Sequence, residues 1–166
     1  HKEDCIAIGE IGLDYNDEKR KENSEEQKKM FQEMLNLAKE IKKPVVIHSR
    51  KAEEDAIQIL EDNQMSKVIM HCFCGKKSLI KRAAENKWYF SVPPAIKRWH
   101  NFQVLVELVP LEQILTETDA PYLSQTAGER NEPANVTTTI EEIAKIKGLT
   151  AEQVANQIWK NFEDLF

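Results

Sequence analysis

Short Val- and Ile-rich runs alternate down this chain with longer charged stretches of helical spacing, and ionisable residues fall where the short runs end. The apolar runs are Cys5–Ile8, Pro44–Ile47, Lys67–Met70, Trp88–Val92 and Gln113–Leu115. Between them, Phe31, Met34, Leu35, Ala38 and Ile41 make an apolar stripe of helical period, opened by Ser24 and Gln27 as an expected capping box. Helices are also expected over Lys51–Asn63, Lys76–Asn86, Asn101–Val109, Thr137–Lys147 and Thr150–Phe166, the last capped by Thr150 with Gln153. Strands alternating with helices predict βαβ units and a parallel sheet. The longest irregular stretch is Pro121–Asn135, and there is no repeat or low-complexity segment.

A doubly wound sheet and a (β/α) barrel both fit that alternation. No G-x-G-x-x-G follows the first strand, as a dinucleotide-binding sheet requires. Instead Glu10, His48, His71 and Asp119 each close a different strand, which is how a barrel builds a site at its C-terminal face. The expected fold class is therefore α/β, a TIM-type (β/α) barrel. A complete barrel takes eight strands and ~250 residues. With 166 residues and five strands, the chain is expected to hold the C-terminal five or so of eight βα units, as one domain over 1–166. Its charged start, without Met, looks like a cut edge.

Side chains alternate across a strand, so the four residues are expected to share a face with Ile8, Val46, Ile69 and Glu117 respectively. Four ionisable groups converging on one rim repel or go unpartnered without a cation. Imidazole and carboxylate suit zinc, manganese and similar ions, and two histidines with carboxylates suit a hydrolytic centre.

These segments carry a specific resemblance. Gly9-Glu10-Ile11-Gly12-Leu13-Asp14-Tyr15, Pro44-Val45-Val46-Ile47-His48-Ser49-Arg50, His71-Cys72-Phe73-Cys74-Gly75, Glu117-Thr118-Asp119-Ala120-Pro121 and Arg130-Asn131-Glu132-Pro133 occur in this order. The chain resembles the TatD family of metal-dependent deoxyribonucleases, TIM barrels of the amidohydrolase superfamily. The resemblance implies a two-metal phosphodiesterase using Mg, Mn or Zn, with DNA as substrate. Glu10 would bridge both ions, His48 and His71 would hold one, and Asp119 would hold the other and position the attacking water. Two such ions ~3.5–4 Å apart activate water and stabilise the charge on phosphate and leaving oxygen. The family's first strand ends in an H-x-H pair that nothing here matches: His1 stands alone, and His100 follows Trp99 in a stretch read as loop. The Glu10–His48–His71 ion is therefore better supported than its neighbour, and an inactive fragment lacking part of its metal site is one alternative. Another keeps fold and metals but cleaves an ester or amide bond, as a D-aminoacyl-tRNA deacylase does.

Secondary roles are assigned more narrowly. Arg50, Lys97 and Arg98 are candidates for substrate phosphates, and Trp99 and Tyr122 for base stacking. Asp14 and Glu117 are expected to orient ligands. Arg130 is expected to fix the long loop by salt bridging, and Lys76, Lys77, Lys81 and Arg82 to form a solvated helix face. Cys72 is expected to point outward and pack under a helix, while Cys74 stands where the family more often has a small polar residue.

Charge and cysteine content bound the setting. With 28 acidic against 23 basic residues the net charge is -5, so a polynucleotide substrate needs bound cations or a local basic patch. Three cysteines do not make a disulfide framework, which fits a reducing, cytoplasmic location. No apolar run approaches the ~20 residues of a membrane span. Five strands leave two open sheet edges, through which the chain is expected to self-associate.

Overall fold

The computed structural model describes residues 4–166; His1, set aside above as an isolated histidine, lies outside them. Five strands form one parallel sheet: β1 (Ile8–Asp14), β2 (Val45–Arg50), β3 (Val68–His71), β4 (Tyr89–Val92) and β5 (Ile114–Thr116). Their spatial order is their chain order, β1-β2-β3-β4-β5. Each connection is helical: α1 (Glu18–Glu22) and α2 (Ser24–Ile41), then α3 (Glu53–Asp62), α4 (Lys77–Glu85) and α5 (His100–Leu108). Two further helices, α6 (Val136–Lys147) and α7 (Ala151–Leu165), close the chain.

The pleat sorts the strand residues onto two faces. Val45, Ile47, Val68, Met70, Phe90, Val92 and Ile114 join the apolar stripes of α2 to α5 in one continuous core, which includes Phe31, Leu35, Ile57, Leu60, Ile80 and Phe102. Burying such side chains stabilises the fold by ~1.5–3 kcal/mol each. Opposite, Val46, Ile69, Tyr89 and Leu115 meet Ile158 and Leu165 of α7 in a smaller cluster. His48, His71 and Glu117 follow Val46, Ile69 and Leu115 by two residues, so alternation carries them to this second face.

β1 departs from that rule. It runs on to Asp14, and its register with β2 shifts between Ile8 and Ile11. Ile8 consequently packs into the helix-side core, and does not share the face of Glu10 as alternation alone predicts. An inserted residue reverses the parity of a strand. Glu10 and His48 therefore sit within strands, while Asp119 lies three residues past β5 and only His71 is a terminal strand residue.

Local chemistry also moves two expected boundaries. Thr150 and Gln153 do form a reciprocal capping box on α7. Ser24 does not cap α2, because Gln27 is drawn to β1: its Oε1 accepts from the Asp14 N–H at 2.8 Å and its Nε2 donates to the Asp14 and Arg20 carbonyls. His100, read as loop, is the first residue of α5. Among the described residues no helix is long and apolar enough to cross a membrane.

One glycine is required by close approach. Gly12 has φ 142° and pairs with His48, and a Cβ there would stand 2.0 Å from the His48 carbonyl oxygen. Gly12→Ala should therefore lower stability by about 3 kcal/mol or more. Gly148→Ala, at φ 67° with nothing within 4 Å of the added carbon, should lose only about 1 kcal/mol. Urea unfolding of the two variants checks the contrast, and equal losses would contradict it.

Candidate metal centre

Each histidine on the second face has one ring nitrogen against a backing carboxylate and the other turned toward Glu10. His71 Nδ1 is held by Glu117 Oε2, which also accepts from Ser91 Oγ. This leaves His71 Nε2 3.6 Å from Glu10 Oε2 and 3.9 Å from Asp119 Oδ1. On β2, His48 Nε2 faces Asp14 Oδ2 at 3.3 Å, and Nδ1 lies 3.8 Å from Glu10 Oε2. The first three strands thus supply Glu10, His48 and His71, and the segment after β5 supplies Asp119.

The backing carboxylates are themselves anchored. Asp14 accepts from the Asn16 N–H at 2.8 Å and is ion-paired with Arg20. Its partial burial disfavours the charged form, but the Asn16 N–H, His48 and Arg20 outweigh that and hold the carboxyl below its ordinary value. Glu117 is pushed up by burial, with His71 and Ser91 pulling against it and the charge of Asp119 adding to the rise. Its Oε1 is buried without a hydrogen-bond partner. Burial alone would lower His71, yet the bond to Glu117 and the charges of Glu117, Glu10 and Asp119 raise it to about 9. These negative groups, gathered around one imidazole, favour a cation at the centre.

The donor set fits a divalent ion. Two imidazoles and two carboxylates are ordinary zinc or manganese ligands, and a carboxylate behind each histidine fixes its tautomer and ring direction. The 3.6–3.9 Å separations are a little wider than the ~3.4 Å between neighbouring ligands at bonds of ~2.1 Å. Among the described residues no group of three such side chains is drawn together tightly enough to close on an ion unaided.

Glu10, His48, His71 and Asp119 line a cavity of ≈ 490 Å³, with Arg50, Trp99 and Tyr122 also on its wall. Arg50 is thus brought to the centre. Lys97 and Arg98 are not on this wall: both belong to the segment after β4, where Arg98 Nε donates to the Ser124 carbonyl at 2.9 Å and its guanidinium lies 5.1 Å from the Trp99 ring centre. Trp99 also stacks on Phe102, and Tyr122 is 72% exposed. Cys72 packs against the helix-side core, as expected, and also borders the cavity. Arg82, expected on a solvated face, pairs with Glu61.

Asn131 was not singled out from sequence. It is 2% exposed; its Nδ2 donates to the Thr118 carbonyl at 2.6 Å, and its N–H donates to the Pro121 carbonyl. Asn131 thereby pins both sides of Asp119 from within the long loop, while Arg130, expected to do so by salt bridging, is exposed. The signal was its place beside Arg130 in the Arg130–Pro133 motif, from which only Arg130 had been given a role.

A family model described as TatD related DNase matches residues 1–166. An uncharacterized metal-dependent hydrolase of Methanocaldococcus jannaschii is 39% identical over 158 residues, covering 95% of this chain and 61% of the relative. Human deoxyribonuclease TATDN3 is 36% identical over 168 residues, covering 100% of this chain and 61% of the relative. The solved structure of YJJV, a TatD homolog from Escherichia coli K12, matches with TM-score 0.88 at 24% identity, covering 97% of this chain and 63% of that one. At that identity the likeness concerns the fold. The chain spans about three fifths of the length of these relatives, and it belongs to the TatD-related DNase family.

The Glu117–His71 pair gives a signed pH dependence for metal-free protein. His71 titrates at about 9 when folded against ~6.5 when unfolded. A raised folded value contributes stability that is complete below 6.5 and is lost as pH rises through 9. NMR titration should find the His71 imidazole ionising near 9 and shifted down in Glu117→Gln. Metal-free stability should fall over the same window in the native chain and less in the variant.

Proposed function

We propose that this TatD-family chain carries the ligands of a metal-dependent hydrolase whose substrate is a DNA phosphodiester. The observation that carries the reading is the pair of carboxylate-backed histidines, with their remaining nitrogens 3.6 and 3.8 Å from the shared Glu10 carboxylate. The deoxyribonuclease name of the human relative supports the substrate class. In this reading the parallel sheet is part of a TIM-type (β/α) barrel, sequential strand order being how such a barrel grows, and residues 1–166 act as one domain.

Glu10, His48 and His71 would hold one divalent ion, and Asp119 belongs to a second position. When bound, the ions supply Lewis acidity toward the scissile phosphate and the attacking water. The chain's own groups do the rest. Glu117 and Asp14 keep the imidazoles aimed at Glu10, and Asn131 keeps Asp119 at the rim, where it orients and deprotonates water. Arg50 on the cavity wall offers a fixed cation to a substrate phosphate. Tyr122, 72% exposed, gives the same wall an aromatic surface against which an unpaired base fits, while Trp99 on that wall is already covered by Phe102 and Arg98. With a net charge of -5, the chain relies on those ions and this local cation, and not on its overall field, to hold a polyanion.

Release of nucleotides from single-stranded DNA should require Mn, Mg or Zn. It should fall by at least about a hundredfold in Glu10→Gln and Asp119→Asn, because each removes a ligand from the ions that do the work. Parallel assays on a cyclic phosphodiester and on carboxylic esters read the bond type. Ester release without DNA release would replace the nuclease reading. DNA release unaffected by chelation would overturn the metal reading itself.

A further inference from the structure

Two thiols stand at the wall of the cavity that holds the candidate ligands. Cys72 follows His71 directly, and both Cys72 and Cys74 line the cavity. All three cysteines are free, Cys74 exposed and Cys72 partly buried. The chain turns back at Cys72, where φ is 45°, so Cys74 Sγ donates to the Cys72 carbonyl at 3.4 Å. Asn101 Nδ2 donates to Cys74 Sγ at 3.1 Å, a contact that stabilises negative charge on sulfur. The DNA-cleavage scheme above uses neither thiol.

We propose that Cys72 and Cys74 form a reversible oxidation site for hydroperoxides, and that closing the disulfide weakens metal binding at the adjoining centre. Cys74 reacts first, being the exposed sulfur with a donor already on it. Cys74 gives its proton to solvent and its thiolate attacks the terminal peroxide oxygen: an S–O bond forms, the O–O bond breaks, and the departing hydroxide or alkoxide takes a proton back from solvent to leave as water or alcohol. The Cys72 sulfur then attacks the Cys74 sulfenic acid. An S–S bond forms, the S–O bond breaks, and the hydroxide released takes the Cys72 proton to leave as water. Two thiols are oxidised and one hydroperoxide is reduced, with no other reactant.

The route to the metal centre is steric. The ring closed by the disulfide contains Phe73, which is 1% exposed and packs edge-on against Phe90 with ring centres 5.8 Å apart. On the far flank Gly75 is already tight, since a Cβ there would lie 2.5 Å from Phe73 Cζ. With the middle and one flank of the turn fixed, the adjustment needed for S–S bonding falls on the His71 side. This second half of the inference rests on the metal reading above; the thiol chemistry does not.

The test treats reduced, metal-free protein with hydrogen peroxide and follows intact mass, alkylation of the remaining thiols and Mn(II) affinity. Mn(II) is chosen because it prefers nitrogen and oxygen ligands to thiolates. The expected product is lighter by about two mass units, with Cys72 joined to Cys74, Cys5 still alkylatable, and full reversal by dithiothreitol. Mn(II) affinity should fall about tenfold on oxidation, the scale of losing a ligand-orienting contact, and recover on reduction. Cys74→Ser should abolish both effects. In Cys72→Ser, Cys74 should stop at a sulfenic acid that dimedone traps. Over-oxidation of Cys74 with Cys72 still free, or a disulfide through Cys5 or between chains, would overturn the site. An unchanged Mn(II) affinity in the cyclised protein would overturn the coupling. Absence of Mn(II) binding by the reduced protein would instead remove the metal reading and leave the mass result to decide the thiol pair.

Discussion

The contact on which the rest of the site depends is the one between Glu117 and His71. A carboxylate with one oxygen shared by His71 and Ser91 and the other buried without a donor joins β3, β4 and the end of β5. An imidazole alone at a strand end is free to rotate; with Nδ1 occupied, only Nε2 remains to face Glu10 and Asp119. Asp14 does the same for His48 from β1, itself fixed by Arg20 and by the Gln27 clasp from α2. Both orienting contacts run across the sheet, so the placement of the two histidines is built from strand-to-strand register, while Asp119 is held from the long loop by Asn131.

Register also explains why the centre includes Glu10. Regular alternation along β1 fails at the bulge between Ile8 and Ile11, which lets Ile8 and Leu13 both pack toward the helices. Gly12 then brings β1 against the His48 backbone at a distance no side chain would allow. Local irregularity in one strand is thus tied to ligand placement in two.

Much of this was legible in the sequence for a definite reason. Parallel strands buried on both faces read as unbroken Val and Ile runs, so their positions and the helical stripes between them were visible to within a few residues. His48 and His71 stood out because an imidazole directly after Pro44-Val45-Val46-Ile47 or Lys67-Val68-Ile69-Met70 interrupts such a run. Asp14 and Glu117 were legible as ligand-orienting carboxylates, but which histidine each one backs is set by packing between strands. What was not legible depends on distant partners. The bulge that turns Ile8 to the core and the diversion of Gln27 from the α2 cap to β1 are decided by residues elsewhere in the fold. So are the reach of Asn131 around Asp119 and the engagement of Arg98 by the Ser124 carbonyl.

The family assignment supplies the chemical class, and the proposed reading assigns it to the facing atoms of Glu10, His48, His71 and Asp119. On the proposed reading, a chain of net charge -5 acting on a polyanion depends on bound ions, and those ions depend on two imidazoles held by carboxylates. Paramagnetic broadening of histidine signals during Mn(II) titration tests this most directly. Broadening of His48 and His71 at low Mn(II), weakened for His71 in Glu117→Gln and sparing His100, is the predicted result. Equal broadening of His100, or none at His48 and His71, would contradict it.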